Sequence, residues 1–473
     1  MLNLTTDRAT SRLQPEQPTA SDTPPLTPSF EKEWKPCQWN PSCLPATPPP
    51  ELNTESKANG IEQSHGHPQE HLLRRSTASG LTVTSGEISQ DEEPFVAVIG
   101  IGYVGTHLVE SFASQYRVIG FDVSERRIEQ LREEFDSQTH IEFTTRREHL
   151  VRATHFLISV PTLLRSDKSV DTSYLESALA TVAAHARPGA TVVIESSVAV
   201  GMTRALLGPL CASHNFYGGM SPERVDPGRT DPPMRSIPKV ISGLTPTSLT
   251  AITRLYAPVF DRLVPVSRPE VAEMMKLYEN CQRMMNIAFA NEMADACIPH
   301  AIDPFEVADA AATKPFGYMP FTPSAGVGGH CIPVNPYYLL SNSEFPLLRA
   351  AAEKMGARPG QIARRVVEGL LPGRKGRVLV VGVGFKRGQS VLSNSPGVEV
   401  VRALKEAEGV EVAFADPLVK QSVCEGVERL GDGQWRKEVL ETFDVIVVVV
   451  RQVGLDFGVL EQLEGVKVEM WAR

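Results

Sequence analysis

One cysteine in this chain is set after a pair of glycines and before two prolines, in Val327-Gly328-Gly329-His330-Cys331-Ile332-Pro333-Val334-Asn335-Pro336. Glycine lets a backbone pass close to a ligand, and proline stiffens the turn that presents the thiol. Cys331 is therefore a candidate nucleophile. Far upstream, Gly100-Ile101-Gly102-Tyr103-Val104-Gly105 follows a strand-like run and opens a helix-like one. In that setting the first glycine makes a tight turn and the second admits a pyrophosphate. The third lets helix pack on strand, and the helix N-terminus supplies an anion site. Asp122 ends the next strand, where its carboxylate can accept from ribose hydroxyls and repel a 2′-phosphate. NAD is thereby favoured, while Arg126 and Arg127 keep NADP open, with Arg127 a candidate cofactor contact. A thiol between this fingerprint and a second strand–glycine turn, Gly382-Val383-Gly384, suggests oxidation with covalent catalysis.

These groups need elements to hold them. The apolar run 95–99, the helical 103–115 and the run 117–121 begin an alternation that continues with strands near 154–160, 191–196, 216–220 and 238–242. Helical segments such as 172–186 and 246–258 intervene, and 264–266 closes the unit. Such alternation with short connections predicts a doubly wound parallel sheet. A long helix over 269–297 follows, with Met274, Leu277, Tyr278, Cys281, Met284, Met285 and Ile287 giving it a broad apolar surface; its methionines read as core filling. Helices at 303–312 and 346–370 complete an all-α region. A second, shorter α/β unit has strands at 378–381, 410–414, 444–450 and 465–469 and a helix at 397–407. The expected fold is α/β: two Rossmann-like doubly wound parallel-sheet domains joined by an all-α central domain, after a disordered N-terminal tail. The boundaries are 1–92 for the tail, then 93–267, 268–372 and 373–473.

Composition narrows the partners. The tail is rich in Pro, Ser, Thr, Glu and Gln and too poor in apolar residues to offset its ordering entropy. A net charge of -9 argues against a nucleic-acid binder. No apolar run approaches the ~18 residues of a membrane span. The 7 cysteines show no CxxC spacing, so they read as free thiols in a reducing compartment. His330 lacks partners at metal-ligand spacing, so no metal is expected. With no apolar segment behind the first basic residues, cytoplasm is the default.

Four motifs carry a family resemblance: the glycine fingerprint at 100–105, Ser221-Pro-Glu-Arg-Val-Asp-Pro-Gly228, Gly328-Gly-His-Cys-Ile-Pro-Val334 and Val383-Gly-Phe-Lys386. In that order they resemble the UDP-glucose/GDP-mannose dehydrogenase family, the NAD-dependent nucleotide-sugar 6-dehydrogenases, over about residues 95–473. The second and third are most similar to the branch acting on UDP-N-acetylhexosamines, with the UDP-glucose branch next. The resemblance implies oxidation of a UDP-sugar C6 alcohol to a carboxylate, with two NAD per turnover and Cys331 as nucleophile. It makes Lys276 the oxyanion partner, with Asn280 beside it, and Glu223 the group that activates water. Thr162 and Glu195 match positions near the nicotinamide and the attacking water. Phe321, Ser324, Gly328 and Gly329, the glycines through backbone N–H groups, would contact the sugar nucleotide. Phe385 and Lys386 would meet its uridine–diphosphate end. A homodimer built on the central helices is also implied.

The chain departs from the family pattern twice. Asn335 stands where the family has an aspartate, keeping the shape but unable to take a proton. Ser393 stands where an arginine is expected. Both departures leave open a degenerate homologue that binds NAD and a UDP-sugar without full turnover. A two-electron β-hydroxyacid-type dehydrogenase is a further reading, though it would need neither Cys331 nor the third unit.

Overall fold

The structure is a computed structural model that describes residues 88 and 92–473 except 227, 230 and 372. The tail expected over 1–92 lies almost wholly outside the described residues. Ile88 is an exception: it packs on the first core, and its N–H donates to Pro188 O at 2.8 Å.

The first unit runs β1 (Phe95–Ile99), α1 (Tyr103–Ala113), β2 (Arg117–Phe121), α2 (Glu125–Glu134), β3 (Ile141–Thr144), β4 (His155–Ile158) and a hairpin of β5 (Leu163–Leu164) and β6 (Val170–Asp171). It continues with α3 (Ser173–His185), β7 (Thr191–Ile194), α4 (Met202–His214), β8 (Tyr217–Met220), β9 (Lys239–Gly243), α5 (Pro246–Tyr256) and β10 (Leu263–Pro265). The eight main strands form one sheet in the order β10-β9-β8-β7-β4-β1-β2-β3. Strands such as Phe95–Ile99 and Thr191–Ile194 are apolar on both faces because helices cover both, giving one core on each side of the sheet. The expected parallel sheet is modified at one point: β9 runs antiparallel to β8, while β10 is parallel to β9. The start of β9 is thereby delivered to the edge where β7 and β8 end.

The middle region comprises α6 (Pro269–Cys297), α7 (Pro304–Ala312), α8 (Asn335–Leu340) and α9 (Pro346–Glu368). Proline at the first turn, where no intrahelical N–H bond is lost, starts α6, α7 and α9. Leu277, Cys281 and Met284 of α6 pack with Val334, Tyr338, Leu348 and Met355 in a core of their own. The methionines expected as filling divide: Met284 is buried, but Met274 is exposed with Tyr278 on the opposite face. In the third unit, β11 (Gly376–Val381), α10 (Pro396–Lys405), β12 (Val410–Ala415), β13 (Glu428–Arg429), α11 (Lys437–Leu440), β14 (Val445–Val448) and β15 (Lys467–Met470) form a five-stranded parallel sheet, ordered β13-β12-β11-β14-β15. Among the described residues no helix is long and apolar enough to cross a membrane.

Candidate active site

The glycine turn after β1 has the geometry its spacing predicts. Gly100 has φ +84°, in the left-handed region glycine favours, and a Cβ at Gly105 would sit 2.0 Å from Gly100 O. Gly102 has open space where a side chain would be, at the N-cap of α1, where no side chain caps the helix. A pyrophosphate fits that cradle. Asp122 accepts from Ile101 N and Ser124 N, each at 3.0 Å. Two accepted bonds leave a carboxylate further lone pairs for ribose hydroxyls. Arg127 braces the loop by donating to Ile101 O at 2.9 Å and Thr106 Oγ1 at 2.8 Å. Tyr103, exposed at the start of α1, accepts from Gly228 N at 3.0 Å, while Val104 packs inward.

Cys331 lies in the turn that leads into α8, where its carbonyl accepts from Val334 N and Asn335 N. The residue reaches solvent, yet burial by its surroundings pushes the thiol pKa up. Lys276 pulls it back down, and Asp226 adds to the rise. Lys276, on the buried face of α6, has its own pKa lowered by burial, against the attraction of Cys331, Glu279 and Glu223. One turn on, the Asn280 amide donates to Asn335 Oδ1. Asn335 is only 2% exposed. The Tyr338 hydroxyl of α8 lies beside Thr162 and donates to Leu163 O at 3.4 Å, which ties the segment between β4 and β5 to the cysteine turn.

Glu223 and Glu195 are joined by a residue that the sequence did not mark. Lys239, the first residue of β9, donates to Glu195 Oε2 and to Glu223 Oε2, both at 2.7 Å, and all three are buried. The Tyr256 hydroxyl donates to Glu195 as well. Burial raises both acids, but on Glu223 Lys239 and the N–H groups of Arg224 and Val225 prevail, so its pKa is lowered. Glu195 moves the other way, pushed up to about 7 by burial. A lysine opening an otherwise buried strand was the available clue; nothing marked Tyr256.

The third unit reaches the cysteine turn through its own loop. Phe385 packs on both glycines: a Cβ added at Gly328 would lie 2.9 Å from the Phe385 Cβ, and one at Gly329 would lie 3.0 Å from its ring. Gly329, expected to offer its N–H to substrate, donates it to Ser393 O at 2.8 Å. Asn394 Nδ2 donates to Gly329 O at 3.0 Å, and Ser393 Oγ meets His330 Nε2 at 3.2 Å. Lys386 faces Asp226 at 3.4 Å. Ser324 is held from within: its N–H donates to Asn291 Oδ1 at 2.7 Å, and its carbonyl accepts from Arg358. Phe321 is half-buried upstream in the same loop. The second glycine turn is engaged by its own unit, because buried Asp416 accepts from Val383 N and Gly384 N.

Cys331 and Lys276 thus sit where the first unit's strand ends, the central helix and the third unit's loop converge. Residues 95–260 match the NAD binding domain of the UDP-glucose/GDP-mannose dehydrogenase family, and 270–354 match that family's central domain. The chain belongs to this family. Its cofactor is NAD, and it is a dehydrogenase of the nucleotide-sugar class. Similar proteins include the UDP-N-acetyl-D-glucosamine 6-dehydrogenase of Pseudomonas aeruginosa, 33% identical over 68% of this chain and 83% of that protein. The UDP-N-acetyl-D-mannosamine dehydrogenase of Pyrococcus horikoshii is 32% identical over 71% of this chain and 88% of that protein. A solved structure of UDP-D-ManNAc dehydrogenase from Pyrococcus horikoshii has a TM-score of 0.69 at 30% identity, covering 76% of this chain and 90% of that one.

Proposed function

We propose that this family member oxidises the C6 alcohol of a UDP-sugar, a UDP-N-acetylhexosamine or UDP-glucose, to the carboxylate in two steps through Cys331. The observation that carries this reading is the pairing of a solvent-reaching thiol with a buried lysine that favours its ionisation. NAD, when bound at the glycine turn, supplies the hydride acceptor for both oxidations, so two are used per sugar. An aldehyde has no second hydride to give until a nucleophile adds to its carbonyl. The Cys331 thiolate forms that C–S bond, and the Lys276 ammonium stabilises the oxyanion of the thiohemiacetal. Oxidation leaves a thioester. Water then adds to it, its proton passes to Glu223, the C–S bond breaks, and Cys331 is released as thiolate.

Asn280 holds Asn335 against the turn, and Thr162 holds α8 through Tyr338. Phe385 and Lys386 line the third unit's side, where the Lys386 ammonium suits a diphosphate. We assign cofactor binding to 93–267, the cysteine turn to 268–372 and the uridine end to 373–473. A second copy of this chain covers α6, whose outward face carries Tyr278, 67% exposed, and Phe289, 62% exposed, in line with Met274 and Met293.

The test is NADH formed per sugar consumed, across UDP-N-acetylglucosamine, UDP-N-acetylmannosamine and UDP-glucose. Two NADH per sugar in steady turnover is the expected result, abolished by Cys331→Ser. No NADH with any sugar, together with a melting temperature raised by NAD, would mark a binder without turnover.

A further inference from the structure

The buried trio Glu195–Lys239–Glu223 has no part in the chemistry described so far beyond Glu223. Isolated charges are expensive to bury, and breaking a buried ion pair by removing one partner strands the other. Here one ammonium meets two carboxylates at equal distance, 2.7 Å each. The sheet topology brings the three together: Glu195 directly follows β7, the chain leaving β8 carries Glu223, and reversed β9 brings Lys239 to the same edge. From α5, Tyr256 donates to Glu195, and the Phe260 ring lies 5.4 Å from the Lys239 ammonium. From α6, Lys276 faces Glu223 on the side of Cys331.

Suppose Lys239 had Glu223 as its sole counter-ion. A proton arriving at Glu223 would then leave an unpaired ammonium in the protein interior, and Glu223 would be a poor acceptor. Glu195 removes that difficulty. With one carboxylate protonated and the other ionised, the trio is neutral, so Glu223 can change charge while Lys239 stays paired. The carboxylate left bound to Lys239 is then Glu195.

We infer that Lys239 and Glu195 are positioning residues for thioester hydrolysis: they form a standing ion pair that fixes Glu223 and lets it take the proton of the attacking water. The inference rests on the proposed oxidation for its catalytic half only. Water's O–H bond breaks toward Glu223 as its oxygen bonds the thioester carbon, and the C–S bond breaks to free the Cys331 thiolate. No other reactant is required.

The experiment uses the full chain as wild type, Lys239→Met, Lys239→Arg and Glu195→Gln, with two readouts. The first is the infrared carboxyl C=O band of the ligand-free protein during a pH titration. Wild type should show a buried carboxyl losing its proton near neutrality, absent in Glu195→Gln and moved alkaline by about one pH unit or more in Lys239→Met. The second is the pH profile of steady NADH formation after the first-turnover burst. Its acid limb should move alkaline in Lys239→Met and return in Lys239→Arg. Glu195→Gln should slow the steady phase relative to the burst by about tenfold or more. If Lys239→Met does not fold, Glu195→Gln and Lys239→Arg decide the matter on the same readouts. Slower variants whose infrared band and acid limb stay at the wild-type pH would overturn the inference. If wild type makes no NADH with any UDP-sugar, it is the proposed oxidation that fails, and the infrared titration still decides whether Lys239 governs the two carboxylates.

Discussion

Lys276 and Cys331 are each penalised by burial for carrying charge, and each offsets part of the other's penalty. Removing the ammonium leaves only the raising influences on the thiol, burial and Asp226. Lys276→Met should therefore raise the Cys331 pKa and slow its alkylation by iodoacetamide at pH 7.5, because less of the thiol is then ionised. The slowing should be about tenfold if the pKa rises by about one. An unchanged alkylation rate would dissociate the two groups. Position 335 offers the opposite experiment. Its buried amide is held by Asn280 beside the cysteine turn. Asn335→Asp would place a carboxylate there, raising the thiol pKa but adding a proton acceptor for water. The expected result is slower alkylation together with faster steady turnover relative to the burst, read by stopped-flow NADH fluorescence. Were hydrolysis already limited elsewhere, only the alkylation rate would change.

The elements that hold these groups are tied at their ends. Glu273 of α6 is buried and accepts from Gly201 N at 2.6 Å and Thr203 N at 2.8 Å, so it caps α4 from another helix. One turn later comes Lys276. Glu273→Ala strands two N–H donors and should cost about 2–3 kcal/mol in urea unfolding, with a loss of turnover from misplacing α6. On β4, burial pushes the His155 pKa down to about 4 from its ordinary 6.5. The unfolded chain takes that proton near 6.5 and the native one near 4, so His155 stabilises the fold above the higher value. That contribution, up to about 3 kcal/mol, is lost as pH falls through the window. His155→Gln should flatten the pH dependence of chemical unfolding there. Much of this scaffold was legible in the sequence, because buried strands and the start of α6 at Pro269 announce themselves by period and by proline. The reversal of β9 was not, since an apolar strand reads the same in either direction. Nor were Lys239, Glu273 and the contacts of Ser393, because a polar residue's partner comes from a distant element and leaves no local spacing. Gly329 shows the converse: its glycine was visible, but its N–H is directed to Ser393 by tertiary packing.

At the scale of the whole molecule, the exposed side of α6 is a line of large apolar residues that a solitary chain would leave in water. Tyr278→Glu with Phe289→Glu should convert a dimer to a monomer in light scattering while leaving the far-ultraviolet circular dichroism intact. A wild-type monomer would end the dimer proposal. The segment around Ser221–Gly228 is a second integrating feature. It meets the cofactor helix through Tyr103, α6 through the Arg224–Glu279 ion pair and the third unit through Asp226 and Lys386. The glycine turn of the cofactor side and the proposed sugar-nucleotide cleft thus share one short stretch of backbone, and Arg229, exposed at its end, is an expected trypsin target. A nick there would cut no core strand yet disconnect the clefts from each other. Shielding of that bond by NAD, by sugar nucleotide or only by both together would report, from band intensities on a gel, the order in which the ligands assemble the enzyme.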